Sequence, residues 1–564
     1  VGENGVVNQI QADRGTDPLR DGRFEGIVPS GRYAAVAYAP GRSPSNPVPV
    51  TVTSGRTVKL ALSLPAPGHL EWNAFDETGR PTPSKVSVLP VDCEDPTQRL
   101  ERIRPEFGDA YLVDGLYRVE FDDDGHGSMP LPAPACYEVI VGRGFEYEVH
   151  REIVALTPGR RTRVQALVER VVDTSGWIAA DLHVHARPSF DSGVSLRDRA
   201  ITMAAEGVEY FVSTDHDVIT DYAPVIRAAG LERHLATDSG VETTTLELGH
   251  FIGFPLEYRF DQAPTHGAPD WWDERPHTVL SALRSLGRRG PEGTVLTIPH
   301  PRDGFFGYFD QFGFDPFSLK KNTPTTGMGN PLQLVPSCDF DSIEVLNGKR
   351  YEMIRTPTIA EAVGFMRERR CIEYEESLSP RSEVLSRLLD LNERYTRRIL
   401  ERTTEEQAAW IEGAPACDIA TLLSRDEGPC QWDSEEAPDH RPCDDVEGVV
   451  DDWFGLLMST RPGVVGTPDH ATLLSPTGLA NSDTHGKTDE AGFPRNWVRV
   501  DGEPMRLDRD AVTDAILARK VTAGAGPFVE LWVNDEPIGS VVRGLGDNLV
   551  RLRVQSPSWF AVTR

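Results

Sequence analysis

The sequence predicts an α/β domain, either a barrel or a doubly wound sheet, that follows small all-β modules and precedes a short β segment. Three observations predict it. Residues 1 to about 170 set short apolar runs between Pro, Gly and Ser turns. From about 175, strand-like runs alternate with helical stretches. In that second region one apolar run after another ends in His, Asp or Glu, at the carboxyl ends of strands where α/β folds bind ligands.

At 564 residues the chain is long enough for several domains. The texture places β-sandwich modules at 1–65 and 66–174, the α/β domain at 175–524, and a β segment at 525–564 that breaks off in mid-pattern. Val28-Pro29-Ser30-Gly31-Arg32-Tyr33 and Leu131-Pro132-Ala133-Pro134-Ala135-Cys136-Tyr137 form a weak repeat, and the two modules resemble the carboxypeptidase-regulatory type. His69, His126 and His150 stand isolated there and read as structural residues.

Composition narrows the partners. Lys and Arg total 58 against 87 Asp and Glu, a formal charge of −29, which disfavours nucleic acid or an anionic membrane surface. No run is long and apolar enough to span a membrane. Seven cysteines without a Cys-x-x-Cys argue against a zinc ribbon and leave room for one or two disulfides. These and the β modules point toward an exported or periplasmic setting without deciding it. The first residues carry no initiator Met or signal-peptide pattern, as expected of a chain that starts inside a longer gene product.

The α/β region opens on Gly176-Trp177-Ile178-Ala179-Ala180, a buried strand that ends in Asp181-Leu182-His183-Val184-His185. An extended chain sends residues i and i+2 to one face, so His183 and His185 point together and can share a borderline metal. Ser195-Leu196-Arg197-Asp198 reads as a capping box opening a helix that Gly207 stops. Later strands end in Thr214-Asp215-His216, in Glu242, in His300, in Asn347 and in Asp483-Thr484-His485. An insertion at about 377–445, helical and then acidic, contains Cys417, Cys430 and Cys443 and is placed to cover the mouth of the domain.

Taken in order, His183, His185, Asp191, His216, Glu242, His250, His300, Asp483 and His485 resemble the ligand series of the PHP (polymerase and histidinol phosphatase) metallohydrolases. The segments 340–348 and 451–457, with Asn481-Ser482-Asp483-Thr484-His485-Gly486 and Pro494-Arg495-Asn496, further resemble the carbaryl-hydrolase-like branch (CehA/McbA). The resemblance covers about residues 175–560. It implies a distorted (β/α)7 barrel, two or three divalent ions (Zn, Mn or Fe) bridged by Glu242, and a metal-bound hydroxide acting on a small ester-type substrate. Asp191 is the variable position of the series, where some members carry His.

Further candidates lie beside these motifs. Asp483 can accept a proton from the attacking water. Arg495 is a candidate for holding charge in the reaction; Arg187, Arg302 and Asn347 are candidates for holding substrate. Phe305, Phe306, Tyr308, Phe309, Trp271 and Trp272 can form an apolar wall. No Gly-x-Ser-x-Gly elbow offers a protein nucleophile. Phosphoester cleavage and carbamate or carboxylester cleavage both suit this ligand set, and a non-catalytic metal-binding scaffold is the alternative. His234, His266, His277 and His470 match no ligand position.

Overall fold

The structure is a computed structural model that describes residues 25–98, 100, 117–245, 248–303, 306–312, 314–315, 320–321, 337–348, 449–458, 476–489, 491–542, 547–560 and 562. The proposed insertion at 377–445, with Cys417, Cys430 and Cys443, lies outside the described residues, as does Phe305. Contacts divide the chain into two compact units, Val1–Arg143 with Glu148–Arg170, and Gly144–Tyr147 with Val171–Arg564.

In the first unit β1 (Gly31–Ala35) and β2 (Val48–Val52) form an antiparallel ladder. The remaining strands are β3 (Gly68–Phe75), β4 (Ser84–Val91), β5 (Arg118–Asp122), β6 (His126–Leu131), β7 (Ala135–Gly142), β8 (His150–Leu156) and β9 (Arg161–Leu167). They make a three-stranded sheet ordered β6-β3-β9 and a four-stranded sheet ordered β5-β4-β7-β8. Along β3, Leu70, Trp72 and Ala74 turn inward on every second residue, the period of a sheet with one buried face. A disulfide joins Cys93 to Cys136. His69, His126 and His150 all lie on these strands.

The second unit holds two five-stranded sheets. One contains β10 (Ile178–Val184), β11 (Tyr210–Ser213), β12 (Ala236–Ser239), β20 (Arg495–Val498) and β21 (Val521–Gly524), ordered β12-β11-β10-β20-β21. The other contains β13 (Val241–Thr244), β14 (His250–Phe254), β15 (Val295–Ile298), β18 (Ser342–Asn347) and β19 (Thr477–Asn481), ordered β13-β14-β15-β18-β19. Between β15 and β18 lies the short ladder β16 (Phe314–Asp315) with β17 (Lys320–Lys321). Helices α1 (Leu196–Ala205), α2 (Ala223–Ala229), α3 (Pro276–Ser285), α4 (Tyr308–Phe312), α5 (Val449–Met458) and α6 (Arg509–Leu517) connect or cover the strands. Ser195 caps α1 and accepts from the Asp198 backbone N–H, as the capping-box spacing predicts.

The (β/α)7 barrel is not formed. The unit is built mainly of β-sheet, and hydrogen bonding leaves both sheets open. The physical reason is the direction of the strands. Parallel neighbours occur along β10-β11-β12 and β15-β18-β19, but β14, β20 and β21 each lie antiparallel to a neighbour. Residues 245–249, between β13 and β14, leave no room for a crossover helix, which needs a dozen residues or so.

The strand expected to end in Glu242 is two strands broken at Gly240, where the chain passes from the first sheet to the second. A Cβ there would come within 2.8 Å of both the Gly253 carbonyl and Val212 Cγ1, so the crossing requires glycine. The sheets share a core: Ile178, Leu182, Tyr210 and Val212 pack with Ile252, Phe254, Val295 and Leu479, and α6 closes it with Val512 and Ile516. The tail forms a three-stranded sheet of β22 (Phe528–Val533), β23 (Glu536–Pro537) and β24 (Val550–Gln555), ordered β23-β22-β24. No helix among the described residues is long and apolar enough to cross a membrane.

Candidate metal centre

β10 is buried along its whole length, as befits the central strand of a sheet covered on both faces. Leu182 and Val184 enter the core, while the rings of His183 and His185 sit with their centroids 5.0 Å apart. His216 follows β11, Glu242 lies on β13, His250 starts β14, His300 follows β15, and Asp483 and His485 follow β19. A lone parallel bridge pairs His216 with Glu242, and another pairs Val184 with Thr484, so the ligand-bearing segments meet where the two sheets adjoin.

All nine residues of the predicted series come together. Glu242, 1% exposed, is the hub. Its Oε2 lies 3.2 Å from His183 Nε2, 3.2 Å from His185 Nε2 and 3.1 Å from His216 Nδ1. Its Oε1 lies 2.8 Å from His250 Nδ1 and 3.1 Å from His300 Nε2. Asp483 Oδ1 is 3.4 Å from both His183 Nε2 and His185 Nε2. Asp191, half-exposed at the rim, places Oδ2 3.0 Å from His485 Nε2 and 3.4 Å from His216 Nε2.

Among the described residues, three groups have donor atoms close enough to hold an ion: His185, His216 and His485; His183, His185 and Asp483; His183, Glu242 and His300. Two further features fit a cation. Among the described residues, His185 Nε2, His250 Nε2 and His300 Nδ1 are buried without a hydrogen-bond partner, which is costly for a polar atom unless something else satisfies it. The donor set is imidazole and carboxylate without thiolate, a chemistry that suits a divalent cation. His300 and Asp483 also adopt positive φ, 28° and 52°, a conformation costing of order 1 kcal/mol that tends to persist at functional sites.

Electrostatics follow from this crowding. Burial would push Glu242 and Glu344 up, but the neighbouring imidazoles, His183 foremost, hold both below the usual carboxylate range. For His183 and His216 burial opposes the charged form, yet Asp483, Glu344 and Glu242 raise His183, and Glu242, Asp191 and Asp483 raise His216. His185 goes the other way, since burial outweighs its carboxylate contacts and lowers it to about 4. A depressed carboxylate stabilises the fold above its unfolded pKa, and that contribution is lost as pH falls through the folded value. The raised imidazoles contribute fully below 6.5 and lose that contribution as pH rises through their folded values. Metal-stripped protein is therefore expected to lose stability as pH falls below 4.5, the ordinary Glu value, and less steeply in Glu242→Gln. Thermal melts in chelator from pH 6 to 3 measure this, and identical acid limbs in both proteins would count against the ion cluster.

Other candidates are placed elsewhere. Arg495, expected in the reaction, is buried in a structural network. It donates to Glu146 Oε2 (3.1 Å), the Gly492 carbonyl (2.7 Å) and the Glu206 carbonyl (2.6 Å), and it stacks on Phe145. Arg302 makes a bidentate pair with Asp452, at 2.7 and 2.8 Å. Asn347 donates its amide N–H groups to Glu344 (2.9 Å) and Asp483 (3.3 Å) and so braces Asp483. Arg187 is exposed beside the histidine strand. Phe190 (79% exposed) stacks on His216 and Phe306 (39% exposed) lies over His250, whereas Tyr308 and Phe309 are core residues. Trp271 donates to Asp217, the neighbour of His216. A cleft of about 420 Å³ opens beside Asp191 and His485, walled also by Val194, Ser195, Asp198 and Lys487.

Sequence reasoning did not single out the residues that hold the candidate ligands in place. Glu344 meets His183 Nδ1 at 2.7 Å. Ser189 Oγ lies 2.9 Å from His185 Nδ1 and donates to Asp215, and Thr244 Oγ1 lies 2.6 Å from His216 Nδ1. Asp181 accepts from Ser482 and from the Gly492 backbone. The only signal for them was acidic residues inside apolar runs, Glu344 in Ser342–Asn347 and Asp181 in β10.

No family model matches the sequence, and no curated protein matches it. One similar solved structure is a two-domain protein from Bacteroides vulgatus containing a predicted PHP-like metal-dependent phosphoesterase. It is 13% identical over 63% of this chain and 68% of its own, with a TM-score of 0.29. A streptococcal ancillary pilin is 10% identical over 28% of this chain and 49% of its own, with a TM-score of 0.17. A 3-chlorocatechol 1,2-dioxygenase from Rhodococcus opacus is 13% identical over 18% of this chain and 59% of its own, with a TM-score of 0.13. Likenesses this remote assign neither fold nor family, and none of the three is described as a carbaryl-hydrolase-like protein.

Proposed function

We propose that the second unit is a PHP-type metal-dependent hydrolase that cleaves a small ester-type substrate. The observation that carries this reading is the convergence of His183, His185, Asp191, His216, Glu242, His250, His300, Asp483 and His485 around one buried carboxylate. These nine would hold two or three divalent ions, which supply acidity to a bound water and polarise the electrophile.

The chain's own residues do the rest. Asp483 Oδ1 accepts the proton as water adds to phosphorus or carbonyl carbon, and the proton then passes to the leaving oxygen as its bond breaks. Asn347 holds Asp483 through its second oxygen, so the accepting atom is fixed. Phe190 and Phe306 give the rim two apolar rings, which favours a substrate with an apolar group next to the scissile bond. With Arg302 committed to Asp452, a phosphate would rely for its charge on the ions and on cations at the rim such as Arg187 and Lys487.

The test is elemental analysis of purified protein together with assays on p-nitrophenyl phosphate, bis-p-nitrophenyl phosphate and a naphthyl carbamate, before and after chelation. The expected result is two or three ions per chain and turnover of at least one ester that chelation abolishes. Restoring the metal should restore that turnover. Fewer than one ion after reconstitution, with no ester turned over, would favour a non-catalytic scaffold.

A further inference from the structure

We propose that Glu344 is a positioning residue that fixes two ligands of the centre, His183 through its ring and His300 through its backbone. This inference rests on the metal-centre reading above. Glu344 lies on β18 between β15 and β19 and is 1% exposed, with four donors converging on its carboxylate. Oε1 meets His183 Nδ1 at 2.7 Å and accepts from Asn481 Nδ2 at 2.8 Å. Oε2 accepts from the His300 backbone N–H and from Asn347 Nδ2, both at 2.9 Å.

The first contact sets the His183 ring. With the proton on Nδ1 held by Glu344, the lone pair sits on Nε2, the nitrogen that faces Glu242 and Asp483. His183 belongs to two of the three groups able to hold an ion, so its orientation governs both. The second contact anchors the amide of His300, whose φ of 28° needs an external partner to persist. Through Asn347 the same carboxylate reaches Asp483. Four donors around one side chain specify a carboxylate. An isosteric Gln would turn its NH2 toward two N–H groups, whichever way it flipped.

The experiment compares wild type with Glu344→Gln and Glu344→Asp, and with Glu146→Gln as a control. Glu146 is another buried carboxylate of this unit, paired with Arg495. Zn2+ affinity is read by competition with a chromophoric chelator, and ligand geometry by the visible absorption of the Co2+-loaded protein. The expected result is a loss of 10- to 100-fold in Zn2+ affinity for Glu344→Gln with altered Co2+ bands, and a smaller loss for Glu344→Asp. Glu146→Gln should lower the melting temperature without moving either readout.

Wild-type affinity and spectrum in a folded Glu344→Gln would overturn the proposal while leaving the metal centre standing. A wild-type chain that binds no ion would overturn the metal centre itself. If neither Glu344 variant folds while the control does, Glu344 is a brace of the fold and the proposal is likewise overturned.

Discussion

Glu242→Ala is expected to remove ion binding and metal-dependent hydrolysis together. Five imidazoles contact its two oxygens within 3.2 Å, and the side chain is fully enclosed. Taking it away removes the carboxylate that these five buried rings share, a loss of about 3–5 kcal/mol when one partner of a buried pair is deleted. Hydrolysis should fall by about 10³-fold or more, since the electrostatics of the reacting centre go with it. Glu242→Gln keeps the volume and separates the two effects, with less loss of stability and a comparable loss of bound metal. Elemental analysis and turnover on the ester panel read the outcome. Full metal content with full turnover in either variant would take Glu242 out of the centre.

Arg495→Ala is expected to act on stability and not on the centre. Its guanidinium is 1% exposed and joins Glu146, two backbone carbonyls and the face of Phe145, while Trp497 Nε1 donates to the same glutamate at 2.7 Å. Deleting the cation strands Glu146 in the core and should lower stability by about 3–5 kcal/mol. Metal per folded chain should stay at the wild-type figure. A residue that held charge in the reaction would behave the opposite way, losing turnover at unchanged melting temperature, and that result would restore the role expected from its neighbourhood to Asp483 and His485 in sequence.

Legibility in the sequence divided along a physical line. Side chains that follow from local periodicity could be placed. Two histidines at i and i+2 on a strand share a face whatever the sheet does, and a Ser with Asp three residues on caps a helix wherever it packs. His216, His300, Asp483 and His485 could be gathered because each follows the end of a strand, which holds for several topologies, whereas Glu242 and His250 stand at the start of theirs and Asp191 in a turn. Pairing direction is another matter, because a strand reads the same whether its neighbour is parallel or antiparallel. The barrel expectation ignored how few residues separate Glu242 from His250, a spacing that admits a hairpin and no crossover.

Glu344 and Arg495 were opaque for a related reason. Each sits in or beside apolar residues, and its role is fixed by partners 161 and 349 positions away in the chain. Asn347 was placed at the right strand end, but only the three-dimensional arrangement shows that its amide is already used.

The meeting of the two sheets at the candidate ligands has a mechanical side. His183, His185 and His216 come from the first sheet, and Glu242, His250, His300, Asp483 and His485 from the second. Any ion held by His183, Glu242 and His300 would therefore work as a rivet through both sheets, and every ion bound would add its binding free energy to the cohesion of the unit. Stripping the metal should then do more than silence a reaction. Amide exchange should quicken along β10, β13 and β19 together while the strands of the first unit keep their protection, so that the seam between the sheets becomes the first line along which the protein parts.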